Sequence, residues 1–106
     1  MLTQQDQYIA KQFQGYLAQT VPILDLWVFG SRALGTATEE SDFDFFIVVE
    51  TITPHLRRRI SEIAWEVGFE LDRVISTVVA TPNQIEHGAM GANPLFNHIQ
   101  HEGIRI

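Results

Sequence analysis

Apolar side chains recur at helical spacing near the start of the chain. Ile9, Phe13, Tyr16 and Leu17 fall at i, i+4, i+7 and i+8, with Gln, Lys and Asp on the other face. This predicts an amphipathic helix over residues 3–19, broken by Thr20 to Pro22. The period then changes to two. In ILDLWVF, residues 23–29, Leu24, Leu26 and Val28 fall on one face of a strand and Ile23, Asp25, Trp27 and Phe29 on the other. A polar stretch follows with Gly35, Thr36, Thr38, Glu39 and Glu40, and Ser31 to Leu34 suits a short helical turn within it. Residues 43–50, FDFFIVVE, are nearly continuously apolar, as in a strand covered on both faces.

Thr53-Pro54 opens a second long helix over residues 54–67, with Leu56, Ile60, Ile63, Ala64 and Val67 as its buried stripe and Gly68 as its stop. Residues 70–80 read as a third strand. Pro82 starts a short helix that ends near Gly88, Gly91 to Pro94 is a break, and residues 94–101 form a last helix closed by Gly103. The final IRI adds an edge strand, and Trp27 and Trp65 are expected to pack into the core. The order α-β-(short α)-β-α-β-α-α predicts a single domain over residues 1–106. Its class is α/β (α+β), a small mixed β-sheet flanked by helices.

Composition narrows the function. A net charge of −6 disfavours broad contact with a phosphate backbone, so direct nucleic-acid binding is not expected. It leaves room for a small phosphorylated ligand brought in by a cation. There is no cysteine, hence neither disulfide nor thiolate metal site. The longest apolar runs are too short to span a bilayer, and MLTQQDQY lacks the basic and apolar regions of a leader. These features fit a cytoplasmic protein without a membrane segment.

The chemistry concentrates in VFGSRALGTATEESDFD, residues 28–44. Asp42 and Asp44 stand one residue apart at the leading edge of an apolar strand, where two desolvated like charges repel. On one strand face they offer the oxygen ligands that Mg²⁺ prefers. A bare pair of this kind is also compatible with solvated residues at a loop–strand junction, or with Asp42 capping a turn. Gly30-Ser31 changes the balance. A glycine at the end of a strand lets phosphate approach the backbone, exposed N–H groups bind anions, and Ser31 donates a hydroxyl hydrogen bond. Arg32 adds charge there or faces solvent.

Gly-Ser, ten intervening residues (32–41) and Asp42-Phe43-Asp44 resemble the signature of the minimal nucleotidyltransferases (MNT) of the DNA polymerase β-like superfamily. Arg32, Ala33 and Gly35 also match the usual GSRAxG run. The resemblance covers most of the chain: residues 21–80 follow the βαβαβ order of the polymerase β-like nucleotidyltransferase fold, and PLFNHIQHEGIRI is similar to the family's frequent ending. It implies transfer of a nucleoside monophosphate from an NTP, here AMP from ATP, to an acceptor hydroxyl. It also implies two Mg²⁺ ions held by Asp42 and Asp44, with Gly30, Ser31 and Arg32 at the phosphates.

A third carboxylate on the third strand usually completes the metal site in this superfamily. If residues 70–80 are regular strand, Glu70, Asp72, Val74 and Ser76 share a face, and Asp72 is the third catalytic and metal ligand. Measured back from the Thr-Pro that ends the strand, the position falls nearer Val74 or Ser76, neither of which is a carboxylate. Single-domain MNT proteins resemble the antitoxin half of a pair whose partner is a HEPN toxin. The resemblance therefore implies AMP transfer to a tyrosine of that partner. A homo-oligomer and a hetero-oligomer both stay open, because exposed edges of a small sheet often become interfaces. The alternatives are a catalytically weak domain that neutralises its partner by binding alone, and an aminoglycoside-type transferase acting on a small molecule. Nothing in these residues looks like an acceptor-gripping domain, which favours an acceptor carried by a partner. Arg57-Arg58-Arg59 reads as a solvated helix face or a docking site for an acidic partner, and His55, His87, His98 and His101 show no metal-ligand spacing.

Overall fold

A computed structural model describes residues 2–38, 40–88 and 92–106 of the chain. Helix α1 spans Gln4–Thr20 and is started by a reciprocal cap: Thr3 Oγ1 accepts from the Asp6 amide at 3.0 Å, and an Asp6 carboxylate oxygen accepts from the Thr3 amide. Its apolar stripe buries Ile9, Ala10, Phe13 and Leu17, while Tyr16 sits at the rim. Strand β1 (Ile23–Phe29), the four-residue helix α2 (Ser31–Leu34) and strand β2 (Phe43–Val49) follow. Helix α3 (Pro54–Leu71) leads to β3 (Ile75–Ala80), then α4 (Pro82–His87), α5 (Pro94–Glu102) and the short β4 (Ile104–Arg105). The break expected at Gly91 to Pro94 begins outside the described residues, as does Glu39 of the polar stretch.

The strand order is β3-β2-β1-β4, with β1 antiparallel to β2 and β4 and β2 parallel to β3. The sheet is therefore mixed, and α3 makes the crossover that a parallel pair needs. One face carries Leu26, Val28, Phe43, Phe45, Ile47 and Val49 and is covered by α1 and α3. Phe45 touches Phe13 of α1 at 4.5 Å and stacks on Phe43 at 4.9 Å, ring centre to ring centre. The other face carries Phe29, Phe46, Val48 and Ala80 and is covered by Phe96 and Ile99 of α5. Both faces of β2 are buried from Phe45 to Val49, which accounts for the apolar run there.

The structure departs from the sequence expectation in three places. The first is in β1, where Ile23 pairs with Val49 but Asp25 pairs with Val48. Leu24 is the extra residue of a bulge and is 52 % exposed, while Ile23 packs on the α1–α3 side. The second is at the end of α3. Gly68 does not stop the helix; α3 continues to Leu71 and is stopped by Asp72, which adopts the left-handed conformation at φ 56°, ψ 49°. Aspartate tolerates that region better than most residues. In consequence β3 begins at Ile75, and Glu70 and Asp72 are not strand residues. The third is Trp65, which is 69 % exposed and stacked on the still more exposed Phe69 at 5.4 Å instead of lying in the core.

Gly68 has a different task. A Cβ placed there would lie 2.5 Å from the carbonyl oxygen of Arg73, whose own amide donates to the Gly68 carbonyl at 2.8 Å. The glycine lets the turn after α3 fold back onto the helix. In a free helix, Gly→Ala gains about 1 kcal/mol. Here the clash reverses the sign: Gly68→Ala is expected to lose about 1–3 kcal/mol in a urea titration.

Candidate active site

Strand β1 ends at Phe29, and Gly30 turns the chain into α2 with φ 73°, ψ −154°. Side chains rarely adopt that backbone. There is also no room for one, since a Cβ on Gly30 would lie 2.4 Å from Asp44 Oδ2. The pairing of β1 with β2 sets this contact, because Phe29 is the register partner of Asp44. Gly30 and Asp44 are thus packed against each other, and the start of α2 stands over the carboxylate. The first turn of a helix leaves N–H groups without intrahelical acceptors, and the N-cap of this one is Gly30, which has no side chain to supply.

Asp42 is exposed and Asp44 half-buried. Burial and the neighbouring Asp42 charge both push the Asp44 carboxyl above its ordinary value. The sequence argument expected this repulsion, and a bound dication would relieve it. The donor set suits a hard cation, with two carboxylates beside a turn of backbone amides. Among the described residues no group of three or more His, Cys, Asp or Glu is placed to hold a metal. His98 instead meets Glu102 at 3.0 Å, and His101 Nδ1 contacts the Asn97 carbonyl at 2.7 Å.

Two expected site residues lie elsewhere. Arg32 does not face the phosphate cradle. It turns inward, 6 % exposed, and its Nη1 donates to Asp6 Oδ1 at 3.0 Å. Asp72 lines a groove of about 1080 Å³ with Glu40, Ser41, Trp65, Phe69, Ile75 and Thr77. Ile75 and Thr77 alternate with Ser76, so they fall on the opposite sheet face from it. The register partner of Asp44 on β3 is Ser76. Partners on adjacent strands share a face, so the β3 position beside Asp44 holds a hydroxyl.

The nucleotidyltransferase domain model matches residues 10–98, most of the chain and all of this site. The chain belongs to the nucleotidyltransferase domain family. Solved structures share the fold of this transferase domain. A chain of a toxin–antitoxin complex with AMP-PNP superposes with a TM-score of 0.66 at 19 % identity, covering 91 % of this chain and 70 % of that one. A chain of the MntA–HepT toxin–antitoxin complex gives 0.62 at 16 %, covering 93 % and 69 %. A chain of the tri-AMPylated Shewanella oneidensis HEPN toxin in complex with MNT antitoxin gives 0.60 at 17 %, with the same coverage. No curated protein matches the sequence. Among the described residues of the transferase domain, no helix is long and apolar enough to cross a membrane.

Asp6 escaped the sequence reading. Asp6 had a signal: it continues the stripe Ile9, Ala10, Phe13 and Leu17 toward the N-terminus, so an acid at that position is buried and needs a cation. Of Val74 and Ser76, the two positions that measuring back from the Thr-Pro offered, the pairing of β3 with β2 selects Ser76 as the neighbour of Asp44.

Proposed function

We propose that this nucleotidyltransferase domain transfers AMP from ATP to a hydroxyl of a partner protein, a HEPN-type toxin, and so silences it. The observation that carries the reading is the contact of Gly30 with Asp44, which makes the backbone cradle and the carboxylates one site. The fold shared with an MNT antitoxin crystallised with an AMPylated HEPN toxin supports the choice of donor and acceptor.

Asp42 and Asp44 would hold Mg²⁺, which when bound neutralises charge on the α-phosphate and on the departing pyrophosphate. The amides of the Gly30–Ser31 turn and Ser31 Oγ bind the β- and γ-phosphates and orient the donor. The acceptor hydroxyl oxygen attacks the α-phosphorus and gives up its proton to solvent, the bond to the bridging oxygen breaks, and pyrophosphate leaves. Positioning and charge stabilisation supply most of the rate. That is chemistry within the reach of a 106-residue chain.

A second reading is favoured by Ser76. It puts a hydroxyl beside Asp44, and a hydroxyl holds neither a metal nor an acceptor proton as a carboxylate does. A site with two carboxylates would bind ATP and transfer slowly, and neutralisation would rest on complex formation. The test uses ATP labelled at the α-phosphate, Mg²⁺ and, as acceptor, the purified product of the neighbouring gene. Label on the partner that disappears with Asp42→Asn/Asp44→Asn supports transfer. A stable complex without label supports the binding reading and overturns the first.

A further inference from the structure

We propose that Arg32, held by Asp6, is a positioning residue that fixes the Asp42 segment against the Gly30–Ser31 turn; the inference rests on the nucleotide-site reading above. Arg32 directly follows Ser31, and its guanidinium spans two elements. Nη1 meets Asp6 Oδ1 of α1 at 3.0 Å, and Nη2 donates to the Ser41 carbonyl at 2.8 Å. Its Cζ also lies 5.2 Å from the centre of the Phe43 ring. Ser41 and Phe43 are the two neighbours of Asp42. One side chain therefore grips the chain on both sides of that carboxylate, while its own backbone belongs to the turn beside Asp44.

The described residues show two further ties of the segment. Ser41 closes a turn with Thr38, its amide donating to the Thr38 carbonyl at 3.1 Å and its Oγ accepting from the Thr38 amide at 2.9 Å. Phe43 begins the strand by donating its amide to the Val74 carbonyl at 2.8 Å. Asp42 lies between these two anchors, and Arg32 is the side chain that reaches both of its neighbours. Asp6 is 5 % exposed, and its second oxygen accepts from the Thr3 amide. The carboxylate is thus fixed from the helix side and orients the guanidinium with a charge-assisted bond. Groups that orient metal-holding carboxylates commonly change metal affinity without touching the metal.

A buried ion pair broken on one side often unfolds a small domain, whereas replacing both partners by apolar residues is often tolerated. The test variant is therefore Asp6→Leu with Arg32→Met, and Thr3→Ala, which weakens the α1 cap without touching Arg32, is the control. Two properties are read: amide hydrogen exchange by NMR, and uptake of Mn²⁺ with ATP followed by the Mn²⁺ EPR signal. In the folded double variant we expect exchange at Phe43 to rise about tenfold relative to the middle of β2, and Mn²⁺–ATP binding to weaken about tenfold. Thr3→Ala lowers the melting temperature and leaves both properties at the wild-type level. If the double variant does not fold, Asp6→Asn is read in the same way.

A folded variant with wild-type exchange at Phe43 overturns the inference. So does one with faster exchange and wild-type Mn²⁺–ATP affinity, since the grip would then not govern the site. Wild-type protein that takes up no Mn²⁺–ATP overturns the nucleotide-site reading instead, and exchange at Phe43 then decides the inference alone.

Discussion

Asp44→Asn is expected to abolish transfer and yet stabilise the metal-free protein. The two effects share one cause. Asp44 is half-buried against Gly30 with Asp42 beside it, and both circumstances raise its carboxyl above the ordinary value of 3.8. A carboxyl raised in the folded state binds more protons there than in the unfolded chain. Its contribution to stability is fully present below pH 3.8 and is lost as the pH rises through the folded-state value. At neutral pH the ionised group therefore works against folding. Asparagine removes the charge at nearly constant volume and with it the repulsion from Asp42. Urea titrations without metal should show the variant more stable than wild type at pH 7, with the difference vanishing toward pH 4. Saturating Mg²⁺ with ATP should stabilise wild type and leave the variant unmoved, narrowing or reversing the gap. The transfer rate should fall by about 10³-fold, the scale lost when a group that stabilises transition-state charge is removed. Wild type more stable than Asp44→Asn in metal-free buffer at neutral pH would show that Asp44 serves the fold and not a ligand.

The difference between what was legible in the sequence and what was not is instructive at single residues. Helix α1, the start and end of β1, the turn at Ser31 to Leu34 and the start of β2 follow from periodicity and capping, because each depends on neighbours within a few residues. The closeness of Gly30 to Asp44 was legible as a spacing, although the reason for the glycine, the Asp44 oxygen in the place of its side chain, needed the register of β1 on β2. The end of α3 was not legible. Gly68 reads as a helix stop by composition, but its backbone stays helical, because the glycine is needed where the Arg73 carbonyl folds back on it. That one glycine shifted the expected start of β3 by five residues, from 70 to 75, and carried Asp72 onto a strand face it does not occupy. The inward turn of Arg32 is likewise a long-range fact, decided by Asp6, an acid 26 positions away. Trp65 shows the limit of hydrophobicity as a guide to burial: it lies off the stripe of Ile60, Ile63, Ala64 and Val67 and finds Phe69 one turn on, in solvent.

The displacement of β3 makes a gain of activity testable. Ser76 stands opposite Asp44 on the parallel neighbour strand, about 4.8 Å away backbone to backbone, with its side chain on the same face. Ser76→Asp would place a third carboxylate where the site now has a hydroxyl. Without metal this adds a further like charge beside Asp42 and Asp44, so the melting temperature should fall and the Asp44 carboxyl should rise further. With Mg²⁺ and ATP the added carboxylate supplies an oxygen ligand and a base for the acceptor hydroxyl. Single-turnover transfer of the α-phosphate label should then rise by about 10²-fold, the lower end of what a positioned base contributes. Two controls fix the interpretation. Thr77→Asp carries the same charge one residue along, on the opposite face, and should bring no gain. Asp72→Asn should leave transfer unchanged, since Asp72 caps α3 beside Glu40 and Phe69 and not beside Asp44. A gain confined to Ser76→Asp would mean that the domain keeps a working donor site and is slow for want of one carboxylate. If transfer by the wild type is already fast and Ser76→Asp slows it, two carboxylates suffice, and the acceptor hydroxyl must lose its proton to a group on the partner. Loss of transfer in Asp72→Asn would return the third ligand to the end of α3 and require the α3–β3 turn to swing toward Asp44 when nucleotide binds.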